Sequence, residues 1–578
     1  MMKDKILWSP ASKSAVISAL GKRGTSLFLP GDDGYSAAKA IFNIVPKNDP
    51  EFVYACHSVS DVARAVRTAV HFGLPIAIKS GGHSMEGFST CSGPCIQVSL
   101  SKMNAITVDK ESMHANVSAG VKNGDVYNRL FPDELAFVSG TCKGVGYAGL
   151  ALGGGLGLLM RNHGVASDSI LAMQVVLADG SVITADATGP HRDLYWALRG
   201  GGNGNFGIVT SFKIRLYSTA KTFFQVRQYR VDKAMEAEVF VRWQGWVHGN
   251  AAEDVPPLPR EAFSQWSQEG NGADIVRVFY NGTEAAATAA IAPLLKGGGI
   301  TRDTTVSTPP GGSSCGTMDD RGFNGDNLTW EQAIGCFWDC GQVHGSNLSY
   351  SGAYSRFALS VGTVSQTKAW MTAFQTIQPA VKSEKSACAT AVANVAEGGW
   401  ADVLVDSMGG AVNEVTASDE LSGAFPHRSA VYHMQFNVFW PADATGPVIK
   451  ECQSWLTSVY SAAGAAGISD RAYRNYPRKT LPSTGKNGYK RLYYGVNLDR
   501  LLAVKAKYDP HSIFSYAQGL SQQQGAFPES NVQPPGSCVL RVVMMAVCGV
   551  LAILLLIYIY RWCWARAWWK PRQYLLTC

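Results

Sequence analysis

Eight glycines fall between Gly140 and Gly157, in "GTCKGVGYAGLALGGGLG". Each gives up more backbone freedom on ordering than any other residue, so such a run is costly to fold. The cost makes sense where backbone N–H groups must approach a ligand, typically a pyrophosphate, without Cβ atoms in the way. A second run, "DLYWALRGGGNGNFGIVTSF" (193–212), has the same character. A third stretch, "PIAIKSGGHSMEG" (75–87), sets His83 behind two glycines at the end of an apolar run. The first run does not fit G-x-G-x-x-G after a strand and opening a helix, so a Rossmann assignment would be forced. Three such loops together point to one large anionic ligand.

Around these loops the chain reads as mixed α and β. "SVSDVARAVRTAVHFGLP" predicts a helix: Ser58 and Asp61 have capping-box spacing, Val62, Val66 and Val70 share a face, and Gly73 and Pro75 end it. Strands are expected at 76–78, "IQVSL" (96–100), "AITV" (105–108), "HANVSA" (114–119) and "LAFVS" (135–139), with a helix at "GDVYNRLF". "ILAMQVVLADGSVITAD" predicts a hairpin about Asp179-Gly180. From about 220 to 464 apolar strands such as "VYHMQFNVFW" alternate with helical segments such as "KAWMTAFQTIQPAV", as in a second domain of sheet plus helices. At 578 residues, two or three domains are expected.

The formal charge of +7 is uneven. Five basic and no acidic residues follow position 530, so the remainder is near neutral and nucleic-acid binding has no support. From Val542 to Tyr560 run 19 uncharged, mostly apolar residues, bracketed by Arg541 and Arg561 and followed by four tryptophans. That length crosses a hydrocarbon core of about 30 Å, so a single transmembrane helix is expected. The basic residues after it favour a lumenal or extracellular body. The N-terminus has no apolar stretch of signal-peptide length, which favours a cytosolic one. The side of the membrane stays open. Cys91 and Cys95, and Cys336 and Cys340, are spaced for local bridges or are buried thiols. Sequons begin at Asn116, Asn281, Asn327 and Asn347.

"SGGHS", "GTCKGVGYAGLALGGGLG", "DLYWALRGGGNGNFGIVT", "AYRNYP" and "YYGVNLDRLLAVKAKYDPHSIFSYAQ" together resemble the berberine-bridge-enzyme-like FAD-linked oxidases of the vanillyl-alcohol-oxidase superfamily. The resemblance runs in order from about residue 20 to 520. It implies an α+β fold with a two-subdomain FAD-binding domain of the PCMH type at 24–218. An inserted α+β substrate domain of antiparallel sheet and helices would occupy 219–464, and a segment returning to the flavin 465–520. A linker (521–541), the span (542–560) and a basic, Trp-rich tail (561–578) would follow.

The same resemblance implies covalent FAD, through His83 to the flavin 8α carbon and through Cys142 to C6. Read alone, His83 is a loop histidine and Cys142 a small buried hydrophobe. The cofactor site it implies comprises Ser80, Gly81, Gly82, Ser84, Gly140, Thr141, Val145, Gly146, Gly149, Gly153, Gly154, Gly155, Gly157, Gly207, Ile208, Val209, Tyr494 and Asn497. Val145 matches the position that gates oxygen. Lys143 departs from the family's proline, Leu150 from a histidine of some members, and Ser512 from the asparagine of "DPxNxF".

Tyr473 and Tyr476 match the tyrosines in front of the flavin, the second as catalytic base; read alone, they could equally pack a domain seam. A phenol acts as a base only where its phenolate is stabilised by charge or hydrogen bonds. The expected function is hydride transfer from a small molecule, a specialised metabolite, to FAD, with O2 as final acceptor and no metal. The alternatives are a carbohydrate oxidase, a dehydrogenase of the same fold with another acceptor, and a membrane-anchored binding protein without turnover.

Overall fold

A computed structural model describes residues 10–520, except 22, 44–47, 250–254, 270–273, 304–324, 337–347, 376–387, 389–399, 416–421, 442–443, 484 and 486–487. The expected span at 542–560, its linker and tail, and Cys340 lie outside the described residues. Among those described, no helix is long and apolar enough to cross a membrane.

Strands β1 (Leu27–Phe28), β2 (Pro50–Ala55), β3 (Ile76–Lys79) and β4 (Gly93–Ser99) form a first sheet in the order β1-β2-β4-β3. Parallel pairing of β2 and β3 with β4 requires a crossover, which the helix Val59–Phe72 supplies. Its capping box forms as expected: the Ser58 side chain accepts from Asp61 N, and Asp61 Oδ2 accepts from Ser58 N at 3.1 Å. Gly73 closes it in the left-handed region, at φ 65°. Val62 and Val66 are fully buried but Val70 is 37% exposed. Each i+4 step overshoots a full turn by about 40°, so the third valine has rotated off the core. The loop bearing His83 leaves the C-terminal end of β3, where α/β sheets present ligands.

Strands β5 (Ile106–Asp109), β6 (His114–Ser118), β7 (Leu135–Ala136), β8 (Ile170–Val176), β9 (Val182–Asp186), β10 (Ile208–Arg215) and β11 (Tyr217–Ser218) follow. Five of them form an antiparallel sheet in the order β5-β6-β10-β8-β9, while β7 pairs with β11. The hairpin β8–β9 turns through Gly180 at φ 78°. The strand expected at 135–139 is only two residues long.

The third sheet comprises β12 (Phe224–Val231), β13 (Ala262–Glu269), β14 (Ile275–Asn281), β15 (Ile300–Arg302), β16 (Gly325–Leu328), β17 (Leu348–Ala358), β18 (Trp400–Ser407) and β19 (Tyr432–Pro441). Its order is β15-β12-β14-β13-β18-β19-β17, with β16 also on β12. One face buries Trp266, Val278, Val405, Met434 and Phe436 in a core shared with the helices Glu236–His248, Val364–Gln375 and Gly446–Ala465. On the other, Phe224, Phe263, Phe279 and Phe357 join a core built from the first two sheets and residues 472–520. The C-terminal stretch thus packs back onto the N-terminal sheets. Cys91 and Cys95 form a disulfide, and a second joins Cys388 to Cys452.

Candidate active site

One cavity of about 320 Å³ is lined by the His83 loop, both glycine runs, the 473–477 loop, the third sheet's second face and Tyr516. It gathers Ser80, Gly81, Gly82, His83, Ser84, Gly140, Thr141, Cys142, Val145, Gly146, Gly149, Gly157, Gly207, Ile208, Val209, Tyr473 and Tyr476, all expected there. Leu150 lines it as well. Five expected residues do not. Gly153, Gly154 and Gly155 are packed against protein: a Cβ on them would stand 2.0 Å from Asn475, 2.6 Å from Phe425 and 2.5 Å from Ala166. Tyr494 OH accepts from Asn205 Nδ2 at 3.4 Å, and Asn497 Nδ2 donates to the Ala424 carbonyl at 3.0 Å. These five hold the seam behind the cavity.

The reason for the glycines is accordingly sharper than ligand approach. A Cβ on Gly146 would lie 2.5 Å from Gly81 N, and one on Gly157 1.8 Å from the Ser139 oxygen. The loops are glycine-rich chiefly because they lock into one another. Gly149, whose Cβ would meet nothing nearer than Asn203 at 3.7 Å, is one that leaves open space.

His83 stacks on Phe42, with ring centroids 4.4 Å apart at 15°, and its Nδ1 lies 3.2 Å from the Gly81 carbonyl. Burial lowers its pKa to about 4, so the imidazole is neutral at pH 7. Phe42 is held by its amide, which donates to the Gly82 carbonyl at 3.0 Å, while Lys79 Nζ ties down the stretch before it through the Ala38 and Ala40 carbonyls at 2.5 and 3.0 Å. Cys142 lines the cavity but is disulfide-bonded in the structure. Its sulfur can join another group only once that bond opens, a constraint the spacing did not reveal.

Tyr473 is buried and held by two donors. Its hydroxyl accepts from Gly155 N and Asn475 Nδ2, both at 2.9 Å, and burial raises its pKa to about 12. It is a positioning group for the 153–155 turn. Tyr476 has its pKa raised by burial, then by Tyr473 and by the carboxylate of Asp406. No cation among these causes stabilises its phenolate, so at neutral pH it keeps its proton.

The sheet contributes residues that motif spacing could not place: Gln265, Asp406, Gln435 and Asn437 line the cavity. Gln265 Nε2 donates to Asp406 Oδ1 at 2.9 Å. His433 Nδ1 lies 3.7 Å from Asp406 Oδ2, and its ring stacks on Tyr476 at 5.7 Å and 19°. The signal was present in "VYHMQFNVFW", where His433, Gln435 and Asn437 alternate with apolar residues, and a polar row on a strand marks a face with polar business. Arg474, inside "AYRNYP", is a buried cation on the cavity wall; its Nη2 donates to the Asn203 carbonyl and Oδ1 at 3.1 and 3.2 Å.

The residues fit a flavin: glycine loops with no side chains in the way at Gly149, a neutral imidazole, a buried arginine, and a tyrosine and a carboxylate on the same cavity. A family profile described as an FAD binding domain matches residues 50–186, and one described as berberine and berberine-like matches 472–521. An uncharacterised FAD-linked oxidoreductase of Bacillus subtilis is 27% identical over 495 residues, covering 85% of this chain and 95% of that protein. A carbohydrate oxidase of Microdochium nivale is 28% identical over 527 residues, 88% of this chain and 95% of its own. A glucooligosaccharide oxidase from Acremonium strictum, whose structure concerns a 6-S-cysteinyl, 8α-N1-histidyl FAD, superposes with TM-score 0.72 at 23% identity. The superposition covers 88% of this chain and 99% of that one. The fold is that of the PCMH-type FAD-binding proteins.

Proposed function

Because the chain belongs to the berberine-bridge-enzyme-like FAD-linked oxidoreductases, we propose that it oxidises a hydroxyl-bearing small molecule and passes the electrons to dioxygen. The observation that carries this is the single cavity in which His83, both glycine runs, Tyr476 and Asp406 meet. FAD held there would supply the acceptor for a hydride from the substrate carbon, with O2 as the terminal acceptor and hydrogen peroxide as its product.

The chain's residues would do the rest. His83, neutral and braced by Phe42, tethers the cofactor; Cys142 adds a second tether only with its disulfide open. Gly149 would admit the cofactor's edge, and Val145, on the same cavity, would gate oxygen. Tyr476 is protonated, so it cannot take the substrate's proton unless it gives up its own. The substrate O–H proton passes to Tyr476 Oη as the Tyr476 proton passes to Asp406, leaving a neutral phenol and a protonated carboxyl. Arg474 supplies a fixed positive charge on the cavity wall.

A carbohydrate is the second reading for the substrate, favoured by the amides of Gln265, Gln435 and Asn437 on the cavity floor. A specialised metabolite is the first reading, favoured by the aromatic lining of Phe88, Phe439 and Tyr516. Anaerobic mixing with a panel of mono- and disaccharides and aromatic alcohols tests this: a substrate bleaches the yellow flavin, and air then yields peroxide. Bleaching without peroxide would make the protein a dehydrogenase, and no bleaching with any of the panel would count against both substrate classes. Acid precipitation tests the tether, which fails if all flavin stays in the supernatant. Residues 542–560 are proposed as a membrane anchor, to be abandoned if alkaline carbonate releases the protein.

A further inference from the structure

The cavity-facing side of the third sheet carries one row of polar side chains set side by side by strand register. Gln228 on β12 pairs with Arg277 on β14, Arg277 with Gln265 on β13, Gln265 with Asp406 on β18, and Asp406 with His433 on β19. The row is hydrogen-bonded from Gln228 to Asp406, with His433 Nδ1 3.7 Å from Asp406 Oδ2 at its end. Arg277 Nε donates to Gln228 Oε1 and its Nη1 to Gln265 Oε1, both at 3.3 Å. Gln265 Nε2 then donates to Asp406 Oδ1 at 2.9 Å. At the other end Gln228 Nε2 donates to Asp303 Oδ2 at 3.3 Å, and Asp303 pairs with the half-exposed Arg230 at 2.7 Å.

A carboxamide has one accepting end and one donating end, a guanidinium only donors and a carboxylate only acceptors. Between Arg277 and Asp406, Gln265 therefore has one permitted orientation. Turned over, it would set its NH2 against the guanidinium and its oxygen against the carboxylate, leaving two buried mismatches. With the amide held, Asp406 Oδ1 is occupied, and Oδ2, which has His433 Nδ1 3.7 Å away, is the oxygen left to receive a proton. Arg277 itself is buried and is not part of the cavity lining.

We propose that Arg277 is a positioning residue for the proton transfer: through Gln265 it fixes the Asp406 carboxylate so that Oδ2 accepts the proton leaving Tyr476. This rests on the reading of Asp406 as that acceptor. The Arg277→Met variant frees the Gln265 amide to turn, whereas Arg277→Lys keeps a donor and a charge at the site.

Two measurements on the flavin-loaded protein test it. Difference infrared spectra, each protein minus its Asp406→Asn counterpart, read the carboxylate stretch of Asp406 without turnover. The band should shift in Arg277→Met and return in Arg277→Lys. Stopped-flow bleaching with the panel substrate that reacts fastest should then slow by ~10–100-fold in Arg277→Met, with KM little changed and an enlarged solvent isotope effect. An unmoved infrared band, or a normal bleaching rate in Arg277→Met while Asp406→Asn is slow, overturns the role of Arg277 alone. A normal rate in Asp406→Asn overturns the acceptor reading and this inference with it. Should Arg277→Met not fold, Gln228→Leu, which removes the far anchor of the guanidinium, is read the same way.

Discussion

Gly81 and Gly146 meet backbone to backbone: a Cβ on Gly81 would stand 2.3 Å from the Gly146 nitrogen. Two loops more than sixty residues apart in sequence are thereby fused into one wall of the cavity, with His83 on one and Cys142 on the other. Gly146→Ala should lower unfolding stability by about 1–3 kcal/mol, since backbone cannot yield as a side chain would. Gly149→Ala, with room for its methyl, should melt like the wild type and instead retain less flavin. Thermal melts and flavin-to-protein absorbance ratios check both; equal melting of the two variants would refute the distinction.

Tyr476→Phe and Asp406→Asn should each slow flavin bleaching by about 10²–10⁴-fold with the flavin still bound, the usual contribution of a positioned acid–base group. Tyr473→Phe acts differently. It strands the Gly155 and Asn475 donors, so its main effect should be on stability. Rapid-mixing spectroscopy and melting curves on the three variants separate these roles.

His163 stacks on Tyr217 with ring centroids 3.7 Å apart at 16°. Burial, then repulsion from Arg260 and Arg215, lowers its pKa to about 4 from 6.5. The unfolded chain takes up this proton as pH falls through 6.5, while the folded protein resists until about 4. Its contribution to stability is therefore full above 6.5 and is lost as pH falls towards 4. His163→Phe keeps a stacking ring without the proton. Its melting temperature should drop less than that of the wild type between pH 7 and pH 4.5, and equal drops would refute the assignment.

Ser512 stands in the left-handed region at φ 52°. The "DPxNxF" pattern that this stretch resembles has asparagine at this place, a residue that tolerates the conformation. Around it, Asp509 accepts from the Ile513 and Phe514 amides, both at 2.8 Å, and from Lys505 Nζ at 2.6 Å, so the turn is held from outside. Ser512→Asn should raise unfolding stability by about 0.5–1 kcal/mol. Chemical denaturation at pH 7 reads this directly, and a loss of stability would show that the Ser512 hydroxyl has a role of its own.

Local features are legible in the order of residues. The helix over 59–72, its capping box, its glycine end and the hairpin at 179–180 depend on neighbours within a few residues, and each forms as expected. His83 and Tyr476 were marked only by the family resemblance of their motifs; read alone, each had an ordinary structural role open to it, and the fold sets both on one cavity. Val70 and the 135–139 strand depart from expectation because a local pattern sets what a segment can form and not how much of it packs.

What the amino-acid order determined by itself was the loop chemistry: where the chain must be glycine, where an imidazole follows it, and where two tyrosines flank an arginine. Only the tertiary structure decided which glycines face a ligand and which face another loop. Only the register of the third sheet brought Gln228, Gln265, Arg277 and Asp406, spread over almost 180 residues, into one hydrogen-bonded row. Strand pairing is non-local, and a slip of one residue would turn every one of these side chains to the opposite face. The cavity's loops were thus written in motifs, while the polar row beneath them exists only once the sheet has closed.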